Sequence, residues 1–145
     1  RKLDIPRPTA GNWEEIPSVW SRLSFQDMQS PGTQAYDMTV HSSDVFRWSF
    51  AWCAATNARL NNILRPLTVN FLIDGSSLTS AQVLLHDVTA SNGWECRYWT
   101  TVLSDWQSGE TVELEVDYRL TEGIYDGKNS YSSGRYRQII FVTVR

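Results

Sequence analysis

Apolar and polar residues alternate along much of this chain, and that period of two predicts strands. The clearest run is Thr111–Thr121 (TVELEVDYRLT). Val112, Leu114, Val116, Tyr118 and Leu120 share one phase; Glu113, Glu115, Asp117 and Arg119 share the other. Such a strand belongs in an antiparallel sheet with one wet face, so the carboxylates are expected to be exposed. In Val45–Cys53 (VFRWSFAWC), Phe46, Trp48, Phe50 and Trp52 form a wholly aromatic phase and the other phase is mostly small. Cys53 falls in the small phase, so it is expected to leave from the strand end or to be re-aimed by a bulge. Trp94–Val102 (WECRYWTTV) is its natural partner, and the two are expected to lie in the middle of a β-sandwich.

Further strands are predicted at Ser21–Gln26, Ala35–His41, Leu67–Asp74, Gln82–Val88 and Arg135–Val144. Turn residues separate them: Ser30–Thr33 (SPGT), Asp74-Gly75, Ser91–Gly93 (SNG) and Trp106–Gly109 (WQSG). Asn57–Leu64 (NARLNNIL) reads as a short helical turn near residues 57–64. Asn57 is its candidate cap, Leu60, Ile63 and Leu64 lie on one side, and Pro66 follows as a stop. Residues 1–12 hold Pro6, Pro8 and Gly11, which suit an extended lead-in or linker better than a central strand. Residues 13–145 are then one domain of all-β class. No βαβ alternation argues otherwise.

Composition narrows the class of partner. The chain has 145 residues, 41% hydrophobic and 20% charged, with a formal charge of −3. That describes a globular domain with a real core. It offers no clustered Lys and Arg for nucleic acid. No apolar run is long enough to span a bilayer. Seven Trp, six Tyr and five Phe suit half-buried pleated surfaces. Of the two cysteines, each sits in a strand-like run. In a secreted domain Cys53 and Cys96 suit a disulfide between sheets; in a cytosolic one they would be two buried thiols.

Three short motifs carry a resemblance. Phe71–Gly75 (FLIDG) reads as a hairpin arm, Trp106-x-x-Gly109 precedes Val112-x-Leu114-x-Val116, and Tyr131-x-x-Gly134-x-Tyr136 leads into the last strand. Together they span roughly Leu67–Arg145. This part resembles bacterial extracellular immunoglobulin-like modules. The antibody pattern is not followed: Trp94, not Tyr, stands two before Cys96, and Leu64–Leu72 holds no Trp. The resemblance implies an immunoglobulin-like antiparallel β-sandwich on the outer side of a bacterial cell or secreted from it. It implies a non-catalytic module that binds or spaces, not an enzyme, and no cofactor. The alternatives are a subunit of a surface assembly and a carbohydrate-binding accessory domain; the expected partner is a protein or a glycan.

Candidate chemistry is sparse. His41 lies near Asp44 and His86 precedes Asp87, but no nucleophile elbow accompanies either, and both suit polar positions on turns or sheet surfaces. Two histidines and two cysteines make a poor zinc set. The polar loop 122–134 carries Asp126–Asn129 (DGKN), whose oxygens lack the ordered spacing of a calcium loop. No metal site is assigned. The aromatics reach furthest toward function. Trp13, Trp20, Trp94, Trp99 and Trp106 cannot all share the core with Trp48 and Trp52, and those left outside are a candidate binding platform. In the last strand Tyr136, Ile140, Val142 and Val144 are expected to face the core. Ile139 and Phe141 fall on the charged face, where they need a cover. The stretch Ile16–Phe25 is the candidate cover within the chain; otherwise Ile139 and Phe141 are a candidate interface.

Overall fold

The computed structural model describes residues 15–145. Their strands pair into two sheets packed face to face, an all-β sandwich. In chain order the elements are β1 (Gly32–Val40), β2 (Phe46–Ala54), α1 (Asn57–Leu64), β3 (Leu67–Ile73), β4 (Ser76–Ser77), β5 (Leu84–Thr89), β6 (Glu95–Leu103), β7 (Thr111–Leu120), β8 (Ile124–Tyr125), β9 (Ser130–Tyr131) and β10 (Gly134–Val144). One sheet has the order β1-β10-β7-β3-β4 and the other β2-β6-β5, with β8 and β9 in a separate hairpin. β1 runs parallel to β10; the other pairings are antiparallel.

The phases of β2 and β7 build the core. Trp48 meets Phe71 across the sandwich at 4.7 Å between ring centroids, and Phe50 meets Tyr118 at 4.6 Å. Tyr118 in turn stacks on Tyr136 at 5.0 Å. Each such pair adds about 0.5–1.5 kcal/mol beyond the area it buries. The Asp74-Gly75 turn places both residues at positive φ, 50° and 81°, as a two-residue β3–β4 hairpin requires. The helix α1 forms where expected, but its cap is Thr56, whose hydroxyl accepts from the Arg59 amide. Leu60 and Ile63 point into the core from it.

Several expectations need correction. The Cys53–Cys96 disulfide is present, but it does not join the two sheets. Cys53 and Cys96 face each other across β2 and β6 in a register unbroken from Phe46 to Ala54, with Cα atoms 4.0 Å apart. There is no bulge. Cys53 keeps the small-residue phase and therefore points away from the aromatic core. Of the two strands, only β6 is central; β2 lies at a sheet edge.

The acidic phase of β7 is not freely solvated either. Glu115 is buried and accepts from Arg137 through two hydrogen bonds of 2.8 and 2.9 Å, while Asp117 takes Arg135. Ile139 is only 6% exposed, flanked in register by Ala35 and Glu115. Phe141 is 46% exposed on the same face. The segment Ile16–Phe25 does not cover them. It crosses the open side of the sandwich, between the edges of β1 and β2, with Arg22 donating to the Thr39 carbonyl and Trp20 to the Ser49 carbonyl. Residues 1–12, the expected lead-in, and Trp13 lie outside the described residues.

Candidate binding groove

A local turn builds one wall of a groove beside β2. The Ser18 hydroxyl accepts from the Trp20 amide and opens a 3-10 turn at Val19–Arg22. That turn swings the Trp20 indole to the β2 edge, where Nε1 donates to the Ser49 carbonyl at 3.0 Å. Tyr36 and Phe25 then meet the indole edge-on, at 5.2 and 5.3 Å. Phe25 remains 53% exposed, an aromatic side chain held in place yet left in water.

The groove encloses about 610 Å³ between the rings of Trp20 and Phe25 and β2. Phe50 and Ala51 form its side; His86, Val88 and Tyr98 line the part that reaches over the outer face of the β2-β6-β5 sheet. His86 stacks on Tyr98 with centroids 5.3 Å apart. Ser49 and Thr100 share a hydroxyl–hydroxyl bond of 3.0 Å. The deep end holds Gln138, from the inward phase of β10. Its side chain is buried, and its Oε1 has no hydrogen-bond partner among the described residues. Leaving a buried amide acceptor unmade costs about 1–3 kcal/mol, so this atom marks where a donor would be rewarded.

A second hollow of about 400 Å³ continues along β2 and shares Phe25, Phe50 and Ala51 with the first. Trp52, Trp94, Tyr131 and Lys128 line it, with Asp27 and Asp126. The carboxylates here are engaged. Asp27 accepts from the Tyr131 hydroxyl, and Asp126 Oδ1 accepts from the amides of Lys128 and Asn129. Burial first, and the Asp27 carboxylate second, push the Tyr131 hydroxyl well above the ordinary tyrosine range. Gly127 makes the turn possible. It has φ 110°, and a Cβ there would sit 2.5 Å from the Ala55 side chain. The turn thereby lies against β2, and Ala55 donates to the Asp126 carbonyl at 2.8 Å.

Of the five tryptophans expected to form a platform, Trp13 lies outside the described residues, and the other four are not brought together into one. Trp106 is 2% exposed and belongs to the core. Trp99 shares the inward phase and packs on Phe50 at 5.5 Å. Trp20 and Trp94 are half-buried and line the two hollows separately. Phe25, Tyr98 and Gln138 were not singled out from the sequence. Gln138 had a readable signal: it is the one amide in an inward phase otherwise filled by Tyr136, Ile140, Val142 and Val144. Among the described residues no group of three or more metal-ligating side chains is brought together.

No protein-family model matches the chain. No curated protein matches it either. Among solved structures it is similar to a chain from "Structure of PbICP-C in complex with falcipain-2", at 11% identity and a TM-score of 0.48, covering 84% of this chain and 96% of that one. A likeness of that size carries no conclusion about what this chain binds.

Proposed function

We propose that this domain is a non-catalytic, immunoglobulin-like binding module of a bacterial secreted or cell-surface protein, and that the groove beside β2 is its binding site. The observation that carries the site is the Gln138 acceptor, buried and without a partner among the described residues, in a groove with aromatic walls. Ligand sites are mostly apolar clefts with a few convergent polar groups, which this resembles. The topology supports the immunoglobulin-like reading. β2-β6-β5 correspond to a three-strand sheet of B, E and D type, and β3-β7-β10 to the C, F and G strands facing it. The disulfide departs from that pattern, because Cys96 sits on β6 where an antibody domain would use the F strand. A disulfide supports an oxidising compartment. Among the described residues no helix is long and apolar enough to cross a membrane.

The groove's polar groups favour binding over catalysis. Among the described residues Ser49 bonds to Thr100 and to no base, and the Thr100–His86 contact is long at 3.5 Å. Phe141 favours the second reading, a subunit of a surface assembly, since it stands exposed on the charged face of the larger sheet. An NMR fragment screen on the full chain separates the two. A set of indoles, N-acetyl amides and disaccharides is expected to shift the Trp20 indole N–H and the Gln138 side-chain amide together. Shifts confined to the surroundings of Phe141 would remove the groove from consideration and favour assembly.

A further inference from the structure

We propose that the groove takes an extended polypeptide segment, which adds to β2 as a fourth strand of the β2-β6-β5 sheet. This rests on the binding reading above and names its ligand class. The backbone of β2 is the main argument. In an antiparallel ladder alternate residues turn both N–H and C=O away from the neighbour. In β2 these are Arg47, Ser49, Ala51 and Cys53. The Arg47 amide donates outward to the Pro17 carbonyl, the Ser49 carbonyl accepts outward from Trp20, and Cys53 forms a close pair with Cys96. β6 covers the other side of β2, so these outward groups face the groove.

The edge is closed at both ends and open between them. Pro17 and Ser18 bridge to Arg47 at one end, and the Asp126 carbonyl takes the Ala55 amide at the other. Between these, the Ser49 amide and both backbone groups of Ala51 and Cys53 make no hydrogen bond among the described residues. Ala51 is exposed. A row of unpaired edge groups is a template for another strand, and natural proteins usually blunt it. Here the two hollows flank this open stretch and share Ala51.

Side-chain chemistry commits the occupant further. In the larger hollow, apolar walls end at an unpartnered acceptor. That suits an aromatic side chain with a donor tip, Trp or Tyr. In the smaller hollow, the Lys128 ammonium makes no ion pair or side-chain hydrogen bond among the described residues, while Asp27 and Asp126 are engaged. A carboxylate on the ligand would complement it. The ligand is thus an extended segment of on the order of five residues, matching a short strand, with Trp or Tyr toward Gln138 and Asp or Glu toward Lys128.

The probe is a positional-scanning library of acetylated hexapeptides, screened against the full chain. The expected result is selection of Trp or Tyr at one position and of an acidic residue at another. With the selected peptide bound, amide exchange should slow at Ser49, Ala51 and Cys53 and stay unchanged at Phe50 and Trp52, which β6 already protects. N-methylation of the peptide amides facing β2 should weaken binding at least about tenfold, as an unmade buried hydrogen bond does. Lys128→Ala should weaken it by about three- to fivefold, the size of an exposed ion pair, and erase the acidic preference. Peptides that shift Trp20 and Gln138 but tolerate N-methylation and leave the alternate exchange untouched overturn the strand assignment while leaving the binding reading intact. A library without binders overturns the polypeptide assignment, while the binding reading stands or falls on the fragment screen. Concentration-dependent protection of Ala51 without peptide assigns the edge to a second copy of this chain and also overturns the proposal.

Discussion

Removing the disulfide is expected to cost about 4 kcal/mol by the loop-closure argument. The perturbation is the double substitution Cys53→Ala and Cys96→Ala. The crosslinked positions are 43 residues apart, and closing a loop of that length removes chain entropy from the unfolded state worth about 4 kcal/mol at 25 °C. The native state should lose little, because β2 and β6 stay in register from Phe46 to Ala54 with or without the sulfur bridge. Domains of this kind have about 5–15 kcal/mol to lose, so the variant should remain folded. For 145 residues the same loss lowers the melting temperature by about 13 °C. Urea unfolding followed by tryptophan fluorescence measures both halves of the reasoning. The midpoint should fall, and the slope m should rise, since an uncrosslinked chain exposes more surface when unfolded. A loss under about 1 kcal/mol with unchanged m would refute the unfolded-state origin. A variant already unfolded without urea would mean that the bridge carries native packing that the ladder does not supply.

Two further outcomes test the sheet phases and the buried hydroxyls. Leu114 is fully buried between Ile73 and Ile140 in register, so Leu114→Ala should cost about 2–5 kcal/mol, whereas Glu115→Gln, which breaks a two-bond pair with a partly exposed Arg137, should cost about 1–3 kcal/mol; equal and negligible losses in urea titrations would mean the assigned phase is wrong. Burial, with Asp27 as the next cause, raises the hydroxyl pKa of Tyr118 well above its unfolded value, and Tyr131 and Tyr136 are raised too, chiefly by burial. The neutral forms are favoured by folding, so this stability is intact below about pH 10 and is lost as the pH rises beyond it. Tyrosinate absorbance should therefore lag behind that of free tyrosine and then rise together with the loss of near-UV circular dichroism. Ordinary titration of all six tyrosines in a folded protein would contradict it.

What the sequence disclosed follows from how local each feature is. The strands β2 and β7 were legible because a two-residue period is written within nine or ten neighbouring positions. The placement of the disulfide was legible too, though its consequence was missed. Cys53 shares its phase with Arg47, Ser49 and Ala51, opposite the aromatic phase that faces the core. A side chain on the outer face cannot reach a second sheet about 10 Å away on the inner one, so its partner had to lie on an adjacent strand of the same sheet. The burial of Glu115 was harder to foresee, because it depends on Arg137 reaching diagonally across the β7–β10 register. The groove was beyond reach for the same reason at larger scale. It joins Trp20, Ser49, Tyr98 and Gln138, residues separated by most of the chain and brought together only when the edges of β1 and β2 come to lie on one side of the sandwich. Even so, Gln138 broke the pattern of its own strand. An amide in the inward phase of an apolar strand costs stability unless something pairs with it. A polar residue that violates the period of its own strand is therefore the position in a sequence at which a functional site is best sought.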